Sequence, residues 1–179
     1  MTAEKPRLFT KLRLKGKKNI KNSHTHNAKS LTIEGANKSL EHNLDEVEIV
    51  EGDLTIKDSY LSTIPHLKDV AGNLVIENTK IKMFYSLETV GGNLILKNSE
   101  VIALDGLKRV GGNLILQNSK ILWLNNLEEI GGNLGLDDSY ISQMLGLKKL
   151  GGKVQMRASE IDCVDYDFTT HTNEEELMR

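Results

Sequence analysis

The residues of this 179-residue chain whose types could support chemistry are Cys163, His24 and His26. A cysteine nucleophile needs an activating base, and no histidine stands at a motif-like spacing from Cys163. His24 and His26 could share a metal ion, but the sequence supplies no identifiable further ligands for them. Because Cys163 is the only cysteine, the sequence also excludes an intramolecular disulfide and a cysteine-rich metal site.

Acidic residues are abundant, but no pattern separates a general acid from a general base among them. The sequence therefore predicts a protein that is not an enzyme and that has no cofactor and no metal. No run of 18 apolar residues is present, and the N-terminus lacks the apolar core of a secretory signal. We expect no membrane span, and a hydrophobic fraction of 39 % is enough for one compact domain or a short repeat array.

The charge of the chain is unevenly distributed along its length. Residues 1–30 carry nine basic residues and one acid, whereas the rest of the chain has 14 basic and 24 acidic residues. Such an arm could dock on the body of the protein, on an acidic neighbour or on nucleic acid. The arm has almost no aromatic residues and precedes an acidic body, so nucleic acid is the least favoured partner.

A repeat of twenty residues dominates the middle of the chain. The segments EGDLTIKDSYL, AGNLVIENTKI, GGNLILKNSEV, GGNLILQNSKI, GGNLGLDDSYI and GGKVQMRASEI begin at 51, 71, 91, 111, 131 and 151. Leucine or valine recurs at one position, here called a column: Leu54, Leu74, Leu94, Leu114, Leu134 and Val154. One coil cannot bury enough apolar surface to offset its ordering entropy, so the copies must stack as a solenoid.

Within each copy, apolar residues first alternate and then recur every third position. Leu94 and Leu96 alternate with Asn93, Ile95 and Lys97, which predicts a short half-buried strand that pairs in parallel with the next coil. Leu104, Leu107 and Val110 predict a 3₁₀ or irregular return. The glycine pair before each strand predicts a corner with positive φ or close chain approach, and short polar columns after the strand can satisfy backbone groups at a second corner.

These features divide the chain into three predicted regions. Residues 1–30 form the basic arm, 31–161 the solenoid, and 162–179 a cap followed by an acidic tail. Leu31 precedes Leu54 by 23 residues, which predicts one irregular coil with a three-residue insertion near Glu48 to Val50. Residues 12–14 could add a strand at the N-terminal end.

The spacing of Leu114, Leu116, Ser119 and Ile121 resembles the LxLxxNxL core of leucine-rich repeats, with Ser or Thr in the usual Asn place. The GGNLxLxNSxI form is similar to short leucine-rich-repeat proteins of tailed phages and bacteria. The resemblance covers residues 50–161 strongly and 31–49 loosely, and it implies a mainly β, right-handed solenoid with a parallel sheet on one face, short 3₁₀ or irregular returns and about six to seven coils. Pentapeptide repeats and calcium-binding nonapeptide repeats fit less well, because Arg109 breaks a five-residue series and the period is not nine.

Two candidate contact surfaces follow from the strand and return positions. Val75, Ile95 and Ile115 are expected in a row on the open face of the sheet, where an apolar stripe is typical of an interface and is also typical of ordinary strands. A second patch is expected on the return path, where Trp123 could equally be packed in the ordinary way. Its members are Met83, Tyr85, Ile102, Leu122 and Trp123.

The resemblance and the charge distribution together imply a structural protein of a phage virion. In this interpretation it decorates the outer capsid surface, is made in the host cytoplasm, and grips the major capsid protein through Lys11, Arg13, Lys15, Lys17 and Lys18. Self-association is also possible for such a protein. The alternative is a cytoplasmic adaptor or inhibitor that captures a protein on the sheet face; an accessory domain of an enzyme would need a catalytic partner.

Overall fold

The computed structural model describes residues 11–14, 27–28, 30–35, 44 and 47–167. They form a mainly β solenoid of about six turns with parallel sheets and almost no helix, which confirms the predicted architecture. Each regular coil contributes one strand to an eight-stranded sheet, the long sheet, and a two-residue strand to a seven-stranded sheet, the short sheet. The part of each coil that leads from the long strand to the short strand is called the return.

The long sheet contains, in spatial order, β1 (Lys11–Leu14), β3 (Leu31–Glu34), β5 (Leu54–Ser59), β7 (Leu74–Thr79), β9 (Leu94–Lys97), β11 (Leu114–Gln117), β13 (Leu134–Asp137) and β16 (Val154–Arg157). The short sheet contains β2 (Asn27–Ala28), β4 (Ile49–Val50), β6 (Asp69–Val70), β8 (Thr89–Val90), β10 (Arg109–Val110), β12 (Glu129–Ile130) and β15 (Lys149–Leu150). On the last two returns, β14 (Tyr140–Met144) pairs in parallel with β17 (Glu160–Val164).

Alternation along the long strands places one set of side chains in the core. Leu94 and Leu96 are fully buried, while Ile95 and Lys97 between and after them are half-buried. Parallel pairing sets Leu94 beside Leu114 and Leu96 beside Leu116, so every inward side chain packs on its column neighbours. Neighbouring coils are about 4.8 Å apart in such a ladder, which makes the interior a stack of leucine columns.

The segment from each long strand to the end of the short strand contains more regular structure than the spacing of three predicted. Leu107 N donates to Leu104 O at 3.0 Å, an i to i+3 turn of the kind expected. The next residues then form the short sheet, in which Arg109 and Val110 pair with Thr89 and Val90. Stacking explains the second ladder, because any extended segment that recurs in every coil lies within hydrogen-bonding distance of its own copy.

The glycine pairs are explained by close approach of neighbouring coils and not by positive φ. Gly111 N donates to Val90 O at 2.8 Å, so the two backbones touch at this corner. A Cβ on Gly111 would lie 2.2 Å from the carbonyl oxygen of Gly91. Among the described glycines, positive φ is found only at Gly35.

Positive φ occurs instead at the second corner, immediately after the long strand. The residues there are Asp58, Asn78, Asn98, Asn118, Asp138 and, in the last coil, Ala158, with φ between 46 and 52°. Asn and Asp enter the left-handed region at lower cost than other side chains, which accounts for this column. The side chains also bond along the stack, as when Asn118 Nδ2 donates to Asn98 Oδ1 at 2.8 Å.

The two ends of the described solenoid differ. At the N-terminal end β1 pairs antiparallel with β3, so a strand does form where residues 12–14 suggested one, within the predicted arm. At the other end β16 is the terminal strand of the described sheet. Met156, which follows the buried Leu116 and Leu136 in their column, is 37 % exposed there. Leu150 N donates to Tyr166 Oη at 3.2 Å, which places the first residues of the predicted cap against the last coil.

The irregular coil exists, but its insertion lies earlier than predicted. Leu31 pairs with Leu54, which gives the expected 23-residue step. Ile49, however, pairs with Asp69 at the regular 20-residue step. The extra residues therefore lie between Glu34 and Glu48, because the ladder of the short sheet fixes everything from Glu48 onward.

Candidate protein-binding surfaces

The sheet face is the outward side of the long sheet, and its centre is the row Val75, Ile95 and Ile115. Val75 pairs with Ile95, and Ile95 with Ile115, so the three side chains stand side by side on adjacent strands. All three are half-buried, as expected for neighbours that shield one another. The row ends at Gly135, where an added Cβ would lie 3.1 Å from Ile115 Cδ1.

A ladder of amides runs along one side of this row. Asn73 Oδ1 accepts from Asn93 N at 2.8 Å, and Asn93 Oδ1 accepts from Asn113 N at 2.7 Å. The ladder starts on the carboxylate of Asp53, which accepts from Asn73 N at 2.7 Å, and it continues to Lys153 N. These side-chain oxygens are already used by the backbone of the next coil, so the flank is polar but internally satisfied.

A charged column runs along the other side of the row. Lys57 Nζ lies 2.9 Å from Glu77 Oε2, and Lys97 Nζ lies 3.9 Å from Glu77 Oε1. The hydrogen bond to Glu77 and its negative charge raise the pKa of Lys57 above 10.5. The sheet face is thus a flat apolar row between two internally paired polar columns.

The predicted patch on the returns is present and is called the return patch, with members Met83, Tyr85, Ile102, Leu122 and Trp123. Ile102 N donates to Lys82 O and Leu122 N to Ile102 O, both at 2.9 Å, so three neighbouring coils are in register here. Trp123 is 41 % exposed and Tyr85 is 64 % exposed. Met83, Ile102 and Leu122 are half-buried, so the patch is an apolar surface that the described fold does not cover.

Of the five basic arm residues predicted to bind protein, two are in a strand. Lys11 and Arg13 belong to β1, where their backbones pair with Glu34 and Thr32. Lys15, Lys17 and Lys18 lie outside the described residues.

The residues considered for chemistry are not brought together into a site by the described structure. Cys163 lies in β17, where its backbone pairs with Gln143, and His24 and His26 lie outside the described residues. Within the described ranges there is no group of three His, Cys, Asp or Glu side chains that could hold a metal ion. No helix in the part of the chain that the structure describes is long and apolar enough to span a membrane.

Sequence reasoning missed a column of alternating charge on the corner before the short sheet. Its members are Glu48, Lys68, Glu88, Lys108, Glu128 and Lys148. Lys108 Nζ lies 2.7 Å from Glu88 Oε2, and Lys148 Nζ lies 3.1 Å from Glu128 Oε1. This column could have been found from the sequence, because the charge alternates between Glu and Lys every 20 residues and stacking places residues of that spacing next to each other.

A comparison of the chain with models of protein families, with curated proteins and with solved structures finds no match.

Proposed function

We propose that this protein is a non-catalytic structural and binding protein whose main contact surface is the sheet face. The observation that carries the proposal is the unbroken row of Val75, Ile95 and Ile115 on three adjacent strands. Aliphatic side chains in a flat row offer a partner apolar area, and a rigid sheet loses little conformational entropy when it binds.

The flanks of the row favour the same function. Burying a polar group without a hydrogen-bond partner weakens binding, and the carbonyl oxygens of Asn73 and Asn93 already accept bonds from the next coil. Glu77 lies between Lys57 and Lys97, so the charged flank is also largely compensated. A partner can therefore cover the row without supplying many matching polar groups.

We further propose that the solenoid is of the leucine-rich-repeat kind. In its favour, Leu114, Leu116 and Ile121 are buried. The place that the repeat gives to Asn is occupied by a column of hydroxyl residues, here called the hydroxyl column: Ser59, Thr79, Ser99, Ser119, Ser139 and Ser159. Ser139 Oγ donates to Leu116 O at 3.1 Å and accepts from Ser119 N at 3.2 Å, so this column bonds the backbone between coils.

Photo-crosslinking tests the sheet face and captures its partner in the same experiment. A benzophenone amino acid is placed at Ile95 in cells that produce the protein, with the 65 % exposed Tyr60 as the control position. We expect a discrete adduct from position 95 and not from position 60. The purified partner should then bind the Ile95→Lys, Ile115→Lys variant at least about tenfold more weakly, with an unchanged melting curve.

Equal adducts from both positions, or full binding by the double-lysine variant, would remove the sheet face as the main surface. The double substitution is suited to this test because both side chains point away from the core, so charge there opposes an apolar contact and not folding.

The second candidate is a decoration protein on the outer capsid surface of a phage, with the major capsid protein as partner. The resemblance of the repeats and the nine basic residues within 1–30 support it. Attachment through the arm would weaken as salt rises, because screening over about 8 Å acts at physiological ionic strength. This candidate places the protein on the virion exterior after synthesis in the host cytoplasm.

Sedimentation with DNA-free heads of the phage that encodes the chain separates the two candidates. The variant Lys15→Glu, Lys17→Glu, Lys18→Glu leaves β1 and β2 intact and should lose attachment if the arm grips the head. The Ile95→Lys, Ile115→Lys variant should then keep its occupancy within about tenfold. Attachment that depends on the isoleucines and not on the lysines would refute the arm-mediated decoration.

A further inference from the structure

The return patch exposes two large aromatic side chains on the body of the solenoid. Trp123 and Tyr85 are 41 % and 64 % exposed, whereas core residues such as Leu104 and Leu124 on the same returns are 1 % exposed. Parallel bridges join Met83 to Ala103 and Ala103 to Trp123, so the patch spans three consecutive coils. Exposed tryptophan and tyrosine beside half-buried aliphatic residues are typical of the centre of a protein interface.

One edge of the return patch is positively charged. Lys80 Nζ lies 2.5 Å from Glu100 Oε1, and Lys120 follows in the same column one coil further. Lys82 and Lys120 are exposed, and neither forms a salt bridge with another described residue. The hydrogen bond from Lys80 lowers the pKa of Glu100 below 4.5, and the charges of Lys120 and Lys82 add to this effect.

This edge carries a net positive charge, because the three lysines Lys80, Lys82 and Lys120 accompany the single acid Glu100, whereas the charges of the sheet face are largely compensated. Lys120 precedes Leu122 and Trp123 on one coil, and Lys82 precedes Met83 two coils away. Neither has a salt-bridge partner in the described structure, so each selects for negative charge, because it attracts an acid of the partner and repels a base. The patch measures about 10 Å from Met83 to Trp123, since these residues are two coils apart. An extended segment of about four residues covers that length at about 3.3 Å per residue.

We propose that the return patch is a docking site for a short acidic segment of another protein that carries apolar side chains. Trp123 is the apolar anchor, and Lys82 and Lys120 receive the carboxylates. This surface lies on a different side of the coil from the sheet face, so the inference stands independently of the proposed function.

The test uses a displayed library of short random peptides selected on the full chain. We expect the selected peptides to combine Asp or Glu with Leu or Phe. A selected peptide free of tryptophan is then synthesised and titrated, and the emission of Trp123, the sole tryptophan, reports binding directly.

Two variants keep the test independent of folding. Lys82→Glu with Lys120→Glu changes only exposed side chains and should weaken peptide binding at least about tenfold. Trp123→Ala, whose peptide binding is measured by calorimetry, should weaken it to the same extent. The Ile95→Lys, Ile115→Lys variant is the matched control on the sheet face and should bind the peptide as the parent does.

Peptides without an excess of acids, or undiminished binding by the Lys82→Glu, Lys120→Glu variant, would overturn the proposal. So would a concentration-dependent dimer that Trp123→Ala abolishes, because the occupant would then be a second copy. Binding that rises at least about tenfold when residues 168–179 are removed would identify the chain's own C-terminal residues as the occupant and would also overturn it.

Discussion

The hydroxyl column is buried in the regular coils but is not equally hydrogen-bonded. Ser99 and Ser139 occupy the same place in their coils and are 2 % and 4 % exposed. The Oγ of Ser139 donates to Leu116 O at 3.1 Å and accepts from Ser119 N at 3.2 Å. The Oγ of Ser99 and the Oγ1 of Thr79 have no hydrogen-bond partner among the described residues. Hydroxyls at equivalent positions of the repeat should therefore contribute differently to the free energy of unfolding.

This difference gives the first prediction. Ser139→Ala removes bonds and leaves a buried N–H of Ser119 without its acceptor, so it should reduce the free energy of unfolding by about 1–3 kcal/mol. Ser99→Ala removes the unbonded hydroxyl and should change it by less than about 0.5 kcal/mol, or stabilise. Urea unfolding of the two variants checks this, and equal losses would show that Ser99 is bonded in solution.

The corner formed by the glycine pair shows how single residues control the stacking of whole coils. A Cβ at position 111 would lie 2.2 Å from Gly91 O, and no side-chain movement can relieve a contact with backbone. A Cβ at position 135, on the sheet face, would meet only the end of the Ile115 side chain at 3.1 Å. The same substitution should therefore have opposite consequences at the two places.

The second prediction compares these glycines. Gly111→Ala should separate two coils at the corner, weaken the bond from Gly111 N to Val90 O, and cost at least about 1–3 kcal/mol. Gly135→Ala should cost little or stabilise, since alanine restricts the unfolded chain by about 0.4–1 kcal/mol and Ile115 can rotate. Thermal melts measure both, and a tolerated Gly111→Ala would mean that the coils are further apart than described.

Across the whole molecule, charged side chains on successive coils form ion pairs along the stack. Glu88 bonds to Lys108, Glu100 to Lys80 and Glu129 to Lys149, with N to O distances of 2.7, 2.5 and 2.7 Å. In each pair the hydrogen bond from lysine lowers the pKa of the glutamate below 4.5. All of these groups are on the surface, so each pair contributes little to the stability of the fold, and salt weakens that contribution.

The third prediction is the pH dependence that follows from these directions. A lowered pKa in the folded state means that the contribution is complete above about pH 4.5 and is lost as the pH falls through the lowered values. The melting temperature should therefore fall on acidification below pH 4.5. The variant Glu88→Gln, Glu100→Gln, Glu129→Gln should show a shallower fall, while Glu51→Gln, an exposed acid outside these pairs, should follow the parent.

At alkaline pH the stability contributed by the lysines changes in the opposite direction and falls as the pH rises. The glutamate partners raise the pKa of Lys57, Lys80 and Lys108 above 10.5, so their contribution to stability is present below that pH and is lost as the pH rises through the raised values.

Identical acid melting profiles for the parent and the triple-glutamine variant would show that the pairs do not form in solution.

The period of the sequence by itself determined the coils, the inward columns and the row on the sheet face. Once the chain stacks at 20 residues per coil, each residue has its counterparts in the preceding and following copies as neighbours. Leu94 must then pack on Leu74 and Leu114, and Ile95 must stand beside Val75 and Ile115, as the pairing shows. The return patch was found in the same way, because Ile102 and Leu122 are also one period apart.

Only the tertiary structure decided what the polar and terminal residues do. The amides before the strand, Asn73, Asn93, Asn113 and Asn133, accept bonds from the backbone of the next coil. The Asn and Asp residues after the strand instead adopt positive φ. The sequence could not separate these roles, because Asn suits both and the choice depends on the backbone angle at each corner. The antiparallel pairing of β1 and the charge balance of the lysines beside Trp123 depend on residues outside the repeat or on unequal members of a column, where periodicity carries no information.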